Sequence, residues 1–382
     1  MTLLPSQRHL FDIPREIAYF NCAYYSPQLN ESRDRLLAGV RAKSSAWKRI
    51  PPDFFDDAER IRTLAARLIG GDADGYAVIP AASYGLSTAA RAIEPQLGSG
   101  DHILVIEEEF PSNVLPWRRV AQQTGAAVIT VPAPTDPDWA GAVLQRMDTT
   151  VKVVAISTYH WSNGTRIDLG RISDACRDHG SMLVVDATQS LGAVPFDLAV
   201  IRPDFLVAAA YKWMLGPYGS GLMYVSEAWR DARPLEESWL ARDNAEDFTS
   251  VAKYSDNYRP GARRFDVGET GVLTLLPGVI AAMEQIEAWG IGNIASSLSA
   301  INARICARLE SLGFTLPEEA HRGPHMFGAR MPASYQGNLV AELKERDIYI
   351  SQRGTSLRFA PHLWVDDHDV ARLLAALDEL VG

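Results

Sequence analysis

Residues 184–198 read VVDATQSLGAVPFDL, and this stretch decides the fold because an apolar run in it ends at a single carboxylate, Asp186. Comparable runs lie between residues 102 and 226: HILVIEEEF, AAVITVPA, VKVVAISTY, MLVVDATQ, DFLVAAAY and GLMYVS. Most of them are nearly continuous in Val, Ile, Leu and Ala, which is typical of strands buried on both faces. We therefore predict six strands that belong to one mostly parallel sheet.

Helical patterns lie between several of these strands. The segments NVLPWRRVAQQTG and LGRISDACRDHG are examples, and the second ends in a glycine where a helix C-cap belongs. This alternation predicts an α/β fold with helices on both faces of the sheet. After about residue 270 the pattern changes to long helices, short strands and a final helix. We predict a large domain over 15–270 and a smaller C-terminal α+β domain over 271–382, completed by residues 1–14.

The composition narrows the possible partners. The chain has 382 residues, 47% hydrophobic and 22% charged, so it can bury a large core. Its formal net charge of -10 argues against nucleic acid and anionic membranes and favours a small-molecule substrate. The three cysteines, Cys22, Cys176 and Cys306, lack metal or redox spacing, and no metal-binding histidine motif is present. With no signal peptide or membrane span in the sequence, we expect a cytoplasmic protein without a metal.

Two ionisable residues stand at the ends of predicted strands, where open α/β sheets bind their ligands. Asp186 ends one strand, and Lys212 follows the apolar run DFLVAAAY. Pyridoxal phosphate needs both groups, because its aldehyde forms an imine with a lysine and a buried aspartate keeps its ring nitrogen protonated. In a plainer interpretation, Asp186 caps the next helix and Lys212 pairs with a surface acid.

The segments around these two residues resemble the class V aminotransferase family of fold type I pyridoxal-phosphate enzymes. VDATQSLGAVPFDL is similar to the aspartate motif of the family, and AAAYKWMLGPYGSGLMYV to its Schiff-base lysine segment. The resemblance extends from YFNCAYYSP near the N-terminus to LRFAPHLW near the C-terminus, and includes the cysteine desulfurase and isopenicillin N epimerase-like branch. It implies a pyridoxal-phosphate enzyme that acts on a small amino substrate.

The resemblance assigns roles around the cofactor ring. Lys212 would hold the cofactor and then move the α-proton of the substrate. Asp186 would bind the pyridine nitrogen, and Gln189 would hydrogen-bond the phenolic oxygen. The aromatic ring that the family lays over the cofactor would be Phe110, where cysteine desulfurases have a histidine; a phenyl ring can stack but cannot exchange a proton. Alternatively, Phe110 is a core aromatic residue at a strand end.

Two more segments complete the implied cofactor site. The turn in IPAASYGLSTAARAI matches the place where the family binds the phosphate on backbone amides, so Ala82, Ser83 and Tyr84 are candidates. Without the resemblance, Ser83 would be an ordinary N-cap residue. In STYHWSNGTRIDL, Trp161 and Ser162 are expected near the cofactor or substrate, whereas the neighbouring histidine, His160, is expected to be structural.

The segment RRFDVGET corresponds to a loop that reaches, in the family, across a dimer interface toward the phosphate of the neighbouring subunit. Gly268, Glu269 and Thr270 would lie in this loop, so the resemblance implies a homodimer with shared active sites. Arg263 and Arg264, at the start of the segment, could equally be solvated surface charges.

The carboxylate of the substrate needs a fixed cation, for which a guanidinium group is well suited. LRFAPHLW resembles the arginine-bearing strand of the family, which gives Arg358 this role and leaves Arg353 as a second candidate. The resemblance also places Ala23 and Tyr24 at the substrate.

The reaction type is narrowed by a missing residue. Desulfurases carry a nucleophilic cysteine shortly before the arginine strand, and IYISQRGTSLRF contains none. We therefore expect no enzyme persulfide and favour aminotransferase-type chemistry. A lyase or epimerase without a catalytic cysteine, or a non-catalytic pyridoxal-phosphate-binding module, are the alternatives.

Overall fold

The computed structural model describes residues 2–382. Its strands are β1 (Ala18–Tyr19), β2 (Tyr76–Ile79), β3 (His102–Ile106), β4 (Ala127–Val131), β5 (Val151–Ser157), β6 (Met182–Asp186), β7 (Phe205–Ala209), β8 (Gly221–Val225), β9 (Phe327–Arg330), β10 (Ile348–Tyr349), β11 (Ser351–Arg353) and β12 (Ser356–Phe359). Its α-helices are α1 (Asn30–Ala42), α2 (Asp56–Ile69), α3 (Ala82–Ile93), α4 (Leu115–Thr124), α5 (Trp139–Leu144), α6 (Leu169–His179), α7 (Leu198–Ile201), α8 (Leu276–Trp289), α9 (Ile291–Ser311), α10 (Leu339–Lys344) and α11 (Asp367–Val381).

A seven-stranded sheet with the order β2-β8-β7-β6-β5-β3-β4 forms the centre of the fold. Strands β3 to β7 are parallel, and β8 runs antiparallel to both of its neighbours, β2 and β7. The prediction of a mostly parallel sheet flanked by helices is confirmed, and all six predicted strands are present. The seventh strand, β2, was not predicted as one because it is only four residues long and ends directly before Pro80.

The apolar runs are continuous because both faces of the sheet are covered. Along β6, Leu183 and Val185 pack into one apolar cluster and Val184 into the other, since successive side chains of a strand point to opposite faces. Helix α3 lies very close to the sheet. A Cβ atom built on Gly85 would lie 2.8 Å from side-chain atoms of both Ile79 and Val207, so glycine permits this close packing.

The carboxyl ends of the parallel strands meet at one edge of the sheet, as the topology requires. Asp186 ends β6, and Lys212 follows β7 after a short loop. The same edge receives Glu109 and Phe110 after β3, and the start of α3 after β2. This edge therefore gathers most of the residues that the sequence singled out.

The N-terminal segment packs against the C-terminal region. Arg8 forms an ion pair of 2.7 Å with Asp369, and β1 pairs with β10 in parallel. Strands β9, β11 and β12 form a separate antiparallel sheet, while α8 packs against α1 and α2. The division at residue 270 remains a prediction. No helix within residues 2–382 has both the length and the apolar character needed to cross a bilayer.

A buried ion pair fastens α2 to β2 and to the segment before Gly268. The Arg62 side chain is fully buried, and it donates hydrogen bonds to the carboxylate of Asp266 and to the carbonyl oxygen of Tyr76. The other carboxylate oxygen of Asp266 accepts from the amide of Val78 at 2.8 Å. Arg62 is the only ion-pair partner of Asp266 within residues 2–382, whereas Nε of Arg62 also lies 3.3 Å from Glu59.

We predict that Arg62→Met lowers the free energy of unfolding by about 3–5 kcal/mol, because Asp266 would stay buried without its cation. The matched control is Arg67→Met on the same helix, whose partner Glu287 lies 2.8 Å away in a largely exposed pair. That change is expected to cost at most about 1 kcal/mol. Urea unfolding of both variants measures the difference, and equal losses would contradict the prediction.

Candidate active site

A cavity of about 260 Å³ opens at the carboxyl edge of the sheet. Seven of the predicted site residues line it: Ala82, Ser83, Phe110, Trp161, Asp186, Gln189 and Lys212. A larger groove of about 740 Å³ lies beside α9, but none of the predicted site residues lines it. We therefore assign the candidate active site to the smaller cavity.

Lys212 is the amine of this cavity. Its side chain is 7% exposed, and burial lowers its pKa to about 8, with the Asp186 carboxylate opposing and the Arg358 charge adding to this effect. No ion pair within 4 Å joins Lys212 to Asp186 or to any other acid among residues 2–382. Near neutral pH the amine is therefore still mostly protonated, but a larger share of it is neutral than in an ordinary lysine, which favours its reaction with an aldehyde.

Asp186 is the buried carboxylate of the cavity. Its Oδ1 accepts a hydrogen bond of 2.9 Å from the amide of Thr188, within a turn and not at the start of a helix, so the capping interpretation is wrong. Burial raises the pKa of Asp186, and the hydrogen bonds from Thr188 oppose this rise. A buried carboxylate without a contacting cation is costly, so a protonated ring nitrogen fits this position well.

Both the nitrogen and the oxygen of the Gln189 side-chain amide form hydrogen bonds. Its Nε2 donates to the carbonyl oxygen of Ala23 at 3.2 Å, and its Oε1 accepts from Nε1 of Trp213 at 3.0 Å. Ala23 thus contacts Gln189 but does not itself line the cavity. Tyr24 lies at the surface nearby, with the Arg353 guanidinium 5.9 Å from its ring centre.

The first turn of α3 forms one end of the cavity. The N-cap residue is Ala81, which offers no side-chain acceptor to the first amides of the helix, so the interpretation of Ser83 as the N-cap is wrong. Ala82 and Ser83 line the cavity, whereas Tyr84 does not, and the amide of Tyr84 already donates to Ala81 at 3.1 Å. Uncapped amides at the start of a twelve-residue helix fit a phosphate group.

Phe110 and Trp161 form an aromatic wall. Their rings meet edge to face at 5.5 Å, and Nζ of Lys212 lies 5.7 Å from the centre of the Phe110 ring. Phe110 is 38% exposed, so it is not a core aromatic residue. Ser162, by contrast, bonds to Nδ1 of His160 at 2.9 Å and lines a neighbouring polar groove.

Arg358 does not line the cavity itself but contacts Trp161, which does. It is 1% exposed, its Nη1 donates to the carbonyl oxygen of Trp161 at 2.6 Å, and its Nε and Nη2 have no partner within residues 2–382. Burial lowers the pKa of Arg358 to about 9, and the charge of Arg353 contributes. Two unpaired, buried donors on one guanidinium group fit the carboxylate of a substrate.

Gly268 and Thr270 do not line the cavity of their own chain. The Gly268 amide donates to Glu236 at 2.7 Å, and the Thr270 hydroxyl donates to the carbonyl oxygen of Val267 at 2.5 Å. Their role at a neighbouring subunit remains a prediction. Arg263 and Arg264, at the start of the same segment, both form ion pairs within the chain.

Sequence reasoning missed Glu109, a buried acid that lines the cavity. Its two carboxylate oxygens accept hydrogen bonds from the amides of Phe110 at 2.7 Å and Ser157 at 2.9 Å. Burial, with a contribution from the Asp186 charge, raises the pKa of Glu109 to about 7. The only signal in the sequence was its position as the last of three glutamates after β3.

Cys22 is the cysteine nearest to this chemistry. It is fully buried, and the charges of Lys212 and Arg358 act on it, but burial dominates and raises its pKa well above the ordinary value. The side chain is therefore a protonated thiol and a poor nucleophile. It does not line the cavity.

Taken together, the cavity offers an amine, a buried carboxylate and uncapped helix amides, which fit pyridoxal phosphate. The partly unpaired guanidinium group of Arg358 contacts the cavity-lining residue Trp161 and fits an amino-acid carboxylate. Lys212 would hold the cofactor aldehyde, Asp186 its ring nitrogen, and the amides of Ala82 and Ser83 its phosphate.

Comparisons with known proteins agree with this fit. Residues 39–372 match the family model for aminotransferase class-V. The chain is 25% identical over 348 residues to an uncharacterized aminotransferase of Bacillus subtilis (strain 168), which covers 89% of this chain and 86% of the relative. It is also 25% identical over 366 residues to isopenicillin N epimerase of Amycolatopsis lactamdurans, covering 89% and 90%.

Two solved structures share the fold. The cysteine desulfurase of Thermococcus onnurineus NA1 superposes with a TM-score of 0.83 at 20% identity and covers 100% of this chain and 99% of its own. A cystine C-S lyase, solved with its product cysteine persulfide, gives a TM-score of 0.85 at 18% identity and covers 96% and 99%. The match over residues 39–372 settles the family: this chain belongs to the class V aminotransferases, a family of pyridoxal-phosphate-dependent enzymes.

Proposed function

We propose that this enzyme carries out aminotransferase-type chemistry on an α-amino acid or a related amine. One observation carries the proposal: Lys212 and Trp161 line the same cavity, and the carbonyl oxygen of Trp161 accepts a hydrogen bond of 2.6 Å from Arg358, whose Nε and Nη2 are unpaired within residues 2–382. An amine and a carboxylate receptor at one site suit a substrate that has an amino group and a carboxylate on one carbon.

Asp186 and Lys212 would have different roles in this reaction. When bound, pyridoxal phosphate withdraws electrons from the α-carbon of the substrate and so weakens the bonds to that carbon. Asp186 supports this by holding the proton on the ring nitrogen. Lys212 is the base that takes the α-proton and can return it, since its lowered pKa lies close to neutral pH.

Arg358 orients the substrate. Its Nη1 is fixed on the carbonyl oxygen of Trp161, which leaves Nε and Nη2 as a fork for two carboxylate oxygens. The guanidinium cannot swing away without losing this anchor. A carboxylate held there has a fixed direction relative to Lys212.

Phe110 supplies no acid–base group beside Lys212. Its ring centre lies 5.7 Å from Nζ of Lys212 but holds no exchangeable proton. The carboxylate of Glu109 also lines the cavity, but both of its oxygens already accept backbone amides, so we assign proton transfer to Lys212. A single base suits transfer of a proton between positions on one side of the substrate. Epimerisation needs a proton on the opposite side as well, and for this reason we place it second.

Epimerisation or elimination without a catalytic cysteine is the second candidate. It is supported by the relative named isopenicillin N epimerase, which matches 89% of this chain. A non-catalytic binding module is excluded as an alternative because the family is one of enzymes. The products distinguish the candidates. Transamination converts the amino acid into a 2-oxo acid and requires a second 2-oxo acid that accepts the amino group. Epimerisation yields only the substrate with inverted configuration.

The proposal includes a homodimer with shared active sites. It is supported by Gly268 and Thr270, which the resemblance assigns to a phosphate but which lie outside the cavity of their own chain. A neighbouring subunit would be the one to receive them.

We predict that Lys212→Ala abolishes the visible absorption band of the protein loaded with pyridoxal phosphate and lowers turnover by at least about 10³-fold, since both the attachment point and the base are lost. Absorption spectra and product assays measure this. The control is Lys344→Ala, an exposed lysine on α10, which should leave both unchanged. An unaltered spectrum in Lys212→Ala would refute the assignment.

We predict that Arg358→Met weakens the binding of amino acids by about 10- to 100-fold, because charged hydrogen bonds to the carboxylate are lost. Spectral titration of the bound cofactor measures the affinity. An amine that lacks the carboxylate should bind equally to both proteins. If the amine and the amino acid were weakened alike, the loss would not be due to the carboxylate.

We predict that Cys22→Ala retains turnover and that the wild-type enzyme forms no persulfide when incubated with cysteine or cystine, because the Cys22 thiol is buried and protonated. Mass spectrometry of the intact protein detects an added sulfur atom. A persulfide on Cys22, Cys176 or Cys306 would contradict the exclusion of desulfurase chemistry.

A further inference from the structure

Two buried histidines pack against the loop of residues 210–220 that carries Lys212, which we call the lysine loop. Neither histidine has a role in the chemistry described so far. His325 precedes β9, and His362 follows β12. Both are 0% exposed, and both pack against the ring of Trp213, the residue after Lys212. They differ in their hydrogen bonds, and this difference is informative.

His325 donates a hydrogen bond from Nε2 to the backbone carbonyl oxygen of Gln189. A carbonyl oxygen can only accept, so the proton of the neutral ring lies on Nε2. The other ring nitrogen, Nδ1, is buried without a partner within residues 2–382. His325 thus makes one hydrogen bond, and it is directed at the turn that carries Gln189.

Trp213, in the lysine loop, contacts the same turn. Nε1 of Trp213 donates to Oε1 of Gln189 at 3.0 Å, and the rings of Trp213 and His325 meet edge to face at 4.4 Å. His325 therefore fixes the backbone of Gln189 while Trp213 fixes its side chain. A second ring contact, to Tyr159 at 4.8 Å, holds His325 from the other side.

We propose that His325 is a positioning residue for the cofactor: its hydrogen bond to the Gln189 carbonyl sets the turn from which Gln189 reaches the cofactor. The inference rests on the proposed contact between Gln189 and the phenolic oxygen. Through His325, the C-terminal part of the chain would then influence the position of a cofactor-binding residue. Loss of the bond leaves a buried carbonyl oxygen without a donor, and the turn then shifts to find another one.

His362 is the matched control. It is equally buried and stacks on Trp364 at 5.0 Å, but neither of its ring nitrogens has a partner within residues 2–382. Replacing either histidine with phenylalanine keeps an aromatic ring in place. Only the change at His325 removes a hydrogen bond to the turn that carries Gln189.

The experiment compares His325→Phe, His325→Gln, His362→Phe and Gln189→Ala with the wild-type protein. Each is titrated with pyridoxal phosphate after cofactor removal, and the visible absorption maximum is recorded across pH. Thermal unfolding of the cofactor-free proteins is measured in parallel, since it reports on folding alone. We expect His325→Phe to bind the cofactor about tenfold more weakly and to shift the absorption maximum. His325→Gln, which retains an N–H donor, should restore much of both, and His362→Phe should alter neither.

The outcomes separate this inference from the assignment on which it depends. If Gln189→Ala left the cofactor spectrum unchanged, the contact between Gln189 and the cofactor would be wrong. If Gln189→Ala altered the spectrum while His325→Phe did not, the positioning role of His325 alone would be overturned. Equal weakening in His325→Phe and His362→Phe, matched by equal losses in thermal stability, would also overturn it.

Discussion

The burial of one carboxylate, Asp186, is the constraint around which the rest of this structure is arranged. It lies at the carboxyl edge of a sheet covered on both faces, where a negative charge is stable only if a cation is supplied. The chain keeps its own cation, Lys212, beyond ion-pair distance, and so leaves space between the two groups. A cofactor with a basic ring nitrogen would fit that space and supply the positive charge that Asp186 lacks.

Residues distant in sequence make this arrangement rigid. Gln189 is held by Ala23 near the N-terminus, by Trp213 in the lysine loop and by His325 near the C-terminus. Because these contacts come from three parts of the chain, the site is complete only when the N-terminal and C-terminal segments are folded onto the sheet. The electrostatic state of Lys212 has the same origin, since burial and the charge of Arg358 act on it together.

The sequence predicted the central sheet well because strands buried on both faces need continuous apolar runs. It also located Asp186 and Lys212, since charges that follow such runs stand out. Long-range contacts left no such signal: His325 is 136 residues from its partner, Gln189. The sequence also predicted that both Trp161 and Ser162 lie near the cofactor or substrate. In the structure, Trp161 lines the cavity, whereas Ser162 lies in the neighbouring polar groove. Side-chain direction in a loop depends on the packing around it, which a single sequence does not encode locally.

The residues that would hold the cofactor do not by themselves decide the reaction. The matching relatives carry names that denote different reactions, an aminotransferase and an epimerase, although both align over 89% of this chain. A shared cofactor site cannot account for that difference, so the choice of reaction must come from groups beside the cofactor. Here the group beside Lys212 is a phenyl ring that holds no exchangeable proton, while the thiol of Cys22 lies outside the cavity and is kept protonated by burial. Neither can move a proton or attack sulfur, and both oxygens of the Glu109 carboxylate already accept backbone amides. We therefore propose Lys212 as the reactive group of the chain, and we expect the reaction to depend on where that one amine can carry a proton.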